Sequence, residues 1–394
     1  MSLNDTPNAF RLHIAIYGKR NSGKSTFLNM MCGHDVSMVS SIAGTTTDPV
    51  IKAMELHGIG PVVFYDTAGF DDEGELGHLR VEKTKKVIDK TDIAILLFHD
   101  TDITQERIWF QNLKKRQIPL LCIYNQMNER NQNVIDEISS FVKENFLVAD
   151  LKDVNNREII RSHLLRLLPS DYHNTSIVGH LVKENDAVLL VMPQDIQAPK
   201  GRLILPQVQT IRDLLDHHCI VQSCTADNID QALETFKKPP QLIITDSQVF
   251  PLVYAKKPAQ SQLTSFSILF AKYKGDIDYY VESACAIDHL TVNSHVLIAE
   301  ACTHAPLSED IGRVKIPRLL RQKIGNDLKI TMVSGTDFPD DLSSYDLIIH
   351  CGACMFSKTY VLSRVEKAKQ QGIPMTNYGV TIAYMKHILD DVVY

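Results

Sequence analysis

An apolar run, Leu12–Tyr17, leads straight into Gly18-Lys19-Arg20-Asn21-Ser22-Gly23-Lys24-Ser25, and an apolar-periodic segment, Lys24–Cys32, follows. Strand, glycine-rich loop and helix, in that order, form the setting in which G-x-x-x-x-G-K-[ST] wraps phosphates. Glycines let the backbone curl around phosphate oxygens, and the loop N–H groups with the helix N-terminus stabilise their charge. Lys24 is expected to reach the β- and γ-phosphates, and the Ser25 hydroxyl to ligate Mg²⁺. Gly18, Ser22, Gly23 and Thr26 complete the expected cradle.

The rest of the chain repeats the alternation of apolar strand and helix. Strands are expected at Leu12–Tyr17, Val50–Leu56, Val62–Tyr65, Ile93–Phe98 and Pro119–Tyr124, with helices at Lys24–Cys32, Leu76–Ile88, Gln105–Arg116, Val134–Lys143 and Arg157–Leu168. Such alternation predicts a mostly parallel sheet with helices on both faces. Pro169-Ser170-Asp171 reads as a linker, after which the pattern restarts twice. Strands at Val188–Met192, Ile220–Ser223 and Leu242–Thr245 with a helix at Val208–His217 make a second α/β unit. The third has strands at His295–Ala299, Lys329–Val333 and Leu347–His350, and helices at Ile316–Lys323, Lys358–Gln370 and Val380–Leu389. The expected fold class is therefore α/β: a phosphate-loop domain over 1–171, then two smaller α/β domains over 172–263 and 264–394. A length of 394 residues fits that division.

Composition narrows the function classes. With 44% hydrophobic and 22% charged residues the chain is not of the disordered class. A net charge of −6 argues against nucleic-acid binding, which needs a basic face. The longest apolar run, Ile93–Phe98, is far below the ~20 residues of a membrane helix, and the N-terminus lacks the pattern of a secretory signal. Eight dispersed cysteines are no disulfide scaffold, so a cytoplasmic, reducing location is expected.

Two further segments extend the phosphate site. Asp66-Thr67-Ala68-Gly69 follows an apolar strand, where Asp66 would hold Mg²⁺ through water and the Gly69 N–H would meet the γ-phosphate. Gly44-Thr45-Thr46-Thr47-Asp48 lies between the first helix and second strand, so that Thr45 borders the nucleotide and Thr46 completes the Mg²⁺ shell. Together these residues, over about 10–170, resemble the translation-factor-like GTPases, in the branch of tRNA-modification and ribosome-assembly GTPases. The resemblance implies GTP with Mg²⁺ as ligand. Phe70 stands where many GTPases carry a water-positioning Gln, and members with an apolar residue there use K⁺ and G-domain dimerisation. Asn21 matches the K⁺-binding Asn of that branch.

One departure concerns the base. The family reads guanine with Asn-Lys-x-Asp, whereas this chain has Asn125-Gln126-Met127-Asn128, and the later Ser-Ala signature appears only as Val148-Ala149-Asp150. An Asn at 128 offers one acceptor and sets its own donor against the base, where a carboxylate accepts twice. Roughly 1.5–3 kcal/mol should be lost, predicting weak GTP binding or a shift toward xanthine nucleotides.

The third part carries Cys302-Thr303-His304 and His350-Cys351-Gly352-Ala353-Cys354, each after an apolar strand. Open α/β sheets gather ligands at such strand ends. Three readings stand side by side: buried core cysteines, a structural zinc site closed by Cys and His, and an iron–sulfur cluster on Cys302, Cys351 and Cys354 with one iron open to exchange. The remaining cysteines, Cys32, Cys122, Cys219, Cys224 and Cys285, read as core, as does the pattern Ile211-x-x-Leu214-Leu215.

A phosphate-loop GTPase domain joined to C-x-H and H-C-x-x-C resembles the [FeFe]-hydrogenase maturation GTPases across essentially the whole chain. Val191-Met192-Pro193-Gln194-Asp195, 198–207 and Thr376-Asn377-Tyr378-Gly379-Val380 are similar as well. The resemblance implies a GTPase domain, a central dimerisation domain and a C-terminal [4Fe–4S] domain. It implies a homodimeric scaffold or carrier of the hydrogenase's diiron subcluster, with apo-[FeFe]-hydrogenase and two radical-SAM maturases as partners. By the same resemblance Cys302, Cys351 and Cys354 are cluster ligands, and His304 and His350 are variable or labile-site ligands. The competing expectation is a regulatory GTPase of RNA modification or ribosome assembly with a structural zinc domain. The acidic balance and the absence of a basic, aromatic-studded stripe count against it.

Overall fold

The computed structural model describes residues 6–33, 40–42, 49–71, 74–126, 131–169, 172, 175–193, 203–301 and 310–394. Thr45, Thr46, Asn128, Cys302 and His304 lie outside the described residues. The chain divides into two compact units, Met1–His173 and Asn174–Tyr394.

Among the described residues the first unit is built on seven strands: β1 (Leu12–Tyr17), β2 (Ser40–Ile42), β3 (Val50–Leu56), β4 (Gly60–Asp66), β5 (Ile93–Phe98), β6 (Leu120–Asn125) and β7 (Phe146–Ala149). Their order is β2-β3-β4-β1-β5-β6-β7, with β2 and β3 antiparallel to their neighbours and the remainder parallel. Every residue of β1, β5 and β6 is buried because both sheet faces are covered. Ile14 and Ile16 pack with Phe27 and Leu28 of the helix Lys24–Cys32 and with Ile160 and Leu164 of the helix Asn156–Leu167. Ala15 and Tyr17 point the other way, toward Val87, Trp109, Leu113 and Ile138 from the helices Gly74–Ile88, Thr104–Lys115 and Gln132–Phe141. The expected doubly covered, mostly parallel sheet is what forms. Since β1, β4 and β6 run parallel, the loop after Tyr17, Asp66 and Asn125 gather at one sheet edge.

Among the described residues the second unit carries two four-stranded parallel sheets. The first consists of β8 (Ala187–Val191), β9 (Ile220–Cys224), β10 (Leu242–Thr245) and β11 (Gln262–Ser265), in the order β11-β10-β8-β9. The second consists of β12 (His295–Glu300), β13 (Lys329–Ser334), β14 (Leu347–His350) and β15 (Met375–Asn377), in the order β13-β12-β14-β15. A division at residue 263 would cut β11. The two sheets also share one core, in which Leu189, Ile243 and Leu263 of one join Leu297, Ile348 and Met375 of the other. Ile268 and Ala271 from the helix Phe266–Lys274, and Ile277, Tyr280 and Ala284 from the helix Ile277–Ala284, pack into that same core.

Some expectations need correction. The last helix runs Tyr378–Met385 rather than Val380–Leu389, because the Asn377 side chain accepts from the Gly379 and Val380 N–H groups and so sets its start. Cys285 is exposed rather than core. Leu214 is fully buried, but its neighbour Leu215 is 53% exposed, since adjacent helical residues face different directions.

Candidate functional site

The loop after β1 has the backbone that its sequence calls for. Gly23, at φ 100°, caps the helix Lys24–Cys32 without a side-chain acceptor, so the first-turn N–H groups face the loop. A Cβ on Gly23 would sit 2.3 Å from Asn125 Nδ2, and one on Gly18 2.5 Å from Ser22 Oγ, so both positions exclude a side chain. Asn21 is held at φ 61°, a left-handed turn in which Asn is tolerated. Lys24 is buried, its Nζ donating to the carbonyls of Gly18 at 2.9 Å and Lys19 at 2.7 Å, which places its ammonium inside the loop.

Asp66 ends β4, and its Oδ2 accepts the Ser25 hydroxyl at 3.1 Å, which joins the two expected Mg²⁺-site residues. Burial raises the Asp66 pKa, against the Ser25 hydrogen bond and the charges of Lys24 and Lys52. Thr67 anchors the following turn by donating to Ile16 O at 2.6 Å. Gly69 lies against the phosphate loop, where a Cβ would meet Arg20 N at 2.7 Å, and Asp71 Oδ1 accepts that Arg20 N–H at 2.6 Å. Asn125 closes the far side, with Nδ2 donating to Ser22 O at 3.0 Å. Lys24, Ser25, Asp66, Gly69 and Asn125 therefore share one loop cluster at the sheet edge.

Two features were not legible in the motif. Phe70, in the place of a water-positioning side chain, is turned into the protein and stacks on Trp109, with centroids 5.3 Å apart and planes 18° from parallel. Trp109 in turn stacks on Tyr17 at 5.2 Å. Lys19, the second loop residue, is buried against Glu106 at 3.6 Å and Asp102 at 3.8 Å. Burial lifts the Glu106 carboxyl from 4.5 to about 7, more than Lys19 lowers it.

In the second unit, β14 ends in His350 and runs into the cysteine loop. Cys351 Sγ accepts two backbone N–H groups, from Ala301 at 3.0 Å and Ala353 at 3.4 Å. Ala301 is the residue before Cys302. Ala353 adopts φ 50°, which bends the chain between the two cysteines. Burial pushes the Cys351 thiol up to about 12, with the two N–H donors opposing. Two N–H groups aimed at one sulfur suit a thiolate, and hydrogen bonds to sulfur are a recognised means of tuning cluster potentials. The donor set therefore fits a thiolate-bound, anionic metal group.

Lys274 reaches this loop from the end of the helix Phe266–Lys274. It is 1% exposed, and Nζ donates to the carbonyls of Ala353 at 3.4 Å, Cys354 at 3.1 Å and Phe356 at 2.6 Å. Burial pulls its pKa down to about 8, opposed by Cys354 and Cys351.

The His350 ring lies between Arg364 and the cysteine loop. Its Nε2 lies 3.0 Å from Arg364 Nη1, which can only donate, so Nε2 accepts. Nδ1–H then donates to Cys351 O at 2.8 Å. Burial and then the Arg364 guanidinium hold the imidazole neutral, with its pKa pushed down to about 3. Among the described residues no group of three Cys, His, Asp or Glu side chains converges as a metal site. Cys302 and His304 fall outside them.

Neither Lys274 nor Arg364 follows from a motif. Arg364 does have a sequence signal, since it falls on the buried stripe Tyr360, Val361, Arg364, Val365 and Ala368 of the helix Lys358–Gln370. No helix among the described residues is long and apolar enough to cross a membrane.

Comparison with known proteins accounts for most of the chain. Residues 278–394 match the Hydrogen maturase F tetramerization domain, 177–275 the Hydrogen maturase F dimerization domain, and 13–126 the 50S ribosome-binding GTPase family. Among curated relatives, the tRNA modification GTPase MnmE of Prochlorococcus marinus (strain NATL1A) is 30% identical over 159 residues, covering 39% of this chain and 34% of that protein. GTPase Der of Wolinella succinogenes is 40% identical over 98 residues, covering 24% of this chain and 20% of that one. The chain thus spans about a third or less of the length of these two relatives. Among solved structures, Era in complex with MgGDPNP and nucleotides 1506–1542 of 16S ribosomal RNA aligns at 17% identity and a TM-score of 0.34, covering 57% of this chain and 97% of that one. A phosphate-loop GTPase domain is followed by two α/β domains that match hydrogen maturase F models, and the chain belongs to the hydrogen maturase F family of GTPases.

Proposed function

We propose that this protein is a scaffold and carrier in [FeFe]-hydrogenase maturation. It binds a [4Fe–4S] cluster through Cys302, Cys351 and Cys354, receives a diiron precursor as cargo and passes it to apo-hydrogenase, with two radical-SAM maturases as further partners. The observation that carries this reading is the half-buried Cys351, whose sulfur accepts two N–H groups, in a domain of the hydrogen maturase F family. When bound, the cluster supplies an iron that lacks a cysteine ligand and is open to exchange. The chain's own part is to hold the cysteine loop: Lys274 ties down three of its carbonyls, and His350 fixes the peptide after Cys351.

The N-terminal unit is read as a GTP switch with Mg²⁺. Lys24 and the loop N–H groups would hold the phosphates, and Ser25 and Asp66 the metal, with Thr46 joining them. The inward-turned Phe70 supports a hydrolysis mode that lacks a water-positioning side chain there, for which Asn21 would hold K⁺. Asn125 keeps its structural place, whereas Asn128 in the base motif weakens discrimination for guanine.

Homodimerisation is supported by the central sheet. β9 is one of its two edge strands, with Ile220 61% exposed, and Val208 and Leu215, seven residues apart on the helix Leu205–Asp216, are 43% and 53% exposed.

The test is anaerobic iron–sulfide reconstitution followed by EPR after dithionite reduction. A reduced [4Fe–4S] signal that disappears in Cys302→Ala, Cys351→Ala and Cys354→Ala is expected. Stoichiometric zinc without a paramagnetic cluster would overturn the scaffold reading.

A further inference from the structure

Two buried cations converge on the loop that carries Cys351 and Cys354. Lys274 does so directly, through three loop carbonyls, from a helix that packs into the core shared by both sheets. Arg364 does so through His350, whose ring relays from Arg364 Nη1 to the Cys351 carbonyl. Arg364 is 2% exposed, and its guanidinium lies against the rings of Phe356, Tyr360 and Phe338, at 4.5, 4.7 and 4.9 Å from their centroids. Its Nη2 donates to Tyr360 Oη at 3.2 Å and to the Gly335 carbonyl. Among the described residues no carboxylate pairs with Arg364, and its Nε has no hydrogen-bond partner.

A guanidinium cannot shed its proton to escape burial. Aromatic faces and neutral acceptors recover only part of the lost hydration, and a buried charge without a counter-charge is destabilising. Among the described residues the packing of Arg364 therefore supplies no counter-charge. The His350 relay ends at the Cys351 carbonyl, and the sulfur of that same residue becomes anionic when it ligates metal. Three thiolates on an oxidised [4Fe–4S] core carry a net negative charge, and one-electron reduction makes it more negative.

We propose that Lys274 and Arg364 are the counter-charges of the cluster held on this loop. They are positioning residues that keep the ligand loop in place and favour the more negative, reduced state. The inference rests on the cluster reading above. The step it concerns is the uptake of one electron from a low-potential one-electron donor; no bond breaks, and neither Lys274 nor Arg364 gains or loses a proton.

The experiment uses the full chain, reconstituted anaerobically with iron and sulfide, titrated with dithionite against mediators and followed by EPR. Lys274→Met and Arg364→Met are each expected to retain a cluster. Each should lower the ratio of reduced to oxidised cluster at fixed potential about tenfold, equivalent to about 59 mV for a one-electron couple. Arg364→Lys, which keeps the charge, should stay close to the wild-type potential. Wild-type potentials in both neutral variants would overturn the proposal. So would an equal shift in Arg364→Lys, because the effect would then be one of packing. Should Lys274→Met lack folded circular dichroism, Lys274→Gln, which keeps an N–H donor without the charge, decides with the same two outcomes. Absence of any cluster from the wild-type protein would overturn the scaffold reading itself, and is seen before any variant is compared.

Discussion

Asn125 joins the phosphate loop to the far strands of its sheet: Nδ2 donates to Ser22 O at 3.0 Å, and Oδ1 accepts the Leu151 N–H at 3.3 Å. The residue is 3% exposed, so both bonds are made away from water. Gly23 is closed to any side chain for the same reason, because the Asn125 amide fills the space where a Cβ would lie. The first residue of the base motif thus acts on the phosphate loop.

Asn125→Ala leaves the Ser22 carbonyl and the Leu151 N–H buried without partners, at a cost of about 1–3 kcal/mol. The N-terminal unit should unfold several degrees lower, and nucleotide affinity should fall at least tenfold. Calorimetry and nucleotide titration of the variant check both; an unchanged melting temperature would show that the two bonds contribute nothing.

Glu106 should give the first unit a pH-dependent stability. Its folded pKa, about 7, lies above the ordinary 4.5 because burial disfavours the carboxylate more than Lys19 favours it. A raised folded value means that the stabilisation is complete below pH 4.5 and is lost as pH rises through about 7. Glu106→Gln removes this titration. The wild-type melting temperature, measured relative to Glu106→Gln, should therefore decline between mildly acidic and mildly alkaline buffer. Parallel profiles for the two proteins would contradict the assignment.

Phe70 packs its ring on the single tryptophan of the chain, Trp109. Phe70→Ala should cost about 3 kcal/mol through the lost ring and the cavity it leaves. It should also move the Trp109 emission to longer wavelength and make it easier to quench with acrylamide. Fluorescence of the native variant, compared with its denaturation midpoint, tests both effects in one sample.

Asn128 is expected to be the weak point of base recognition. Asn128→Asp restores a carboxylate that accepts twice from guanine, worth roughly 1.5–3 kcal/mol. GTP should bind at least tenfold more tightly, and xanthosine triphosphate less tightly, by isothermal titration. Unchanged GTP affinity would place the deficit elsewhere, with Gln126 the next candidate.

Elements whose signal is contained in their own residues were legible. The apolar runs of β1, β5 and β6 and the stripe of the helix Lys358–Gln370 could be read directly. β2 and β15 are three residues long, too brief for a periodic pattern, and exist because a neighbouring strand supplies their ladder bonds. The same limit hid the common core of the last two sheets, since Leu263 and Met375 meet only after the chain has folded.

The sequence by itself determined the phosphate loop, because Gly18, Gly23 and Lys24 impose their geometry within a few residues of one another. It also determined which cysteines stand at strand ends. Only the tertiary structure decided what surrounds them. Lys274 meets its loop acceptors across 79 to 82 positions of chain, and Arg364 meets His350 across 14. Motif spacing reports chemistry carried by neighbours along the chain. A buried charge is placed by whichever distant elements exclude water around it, and the folded core settles that.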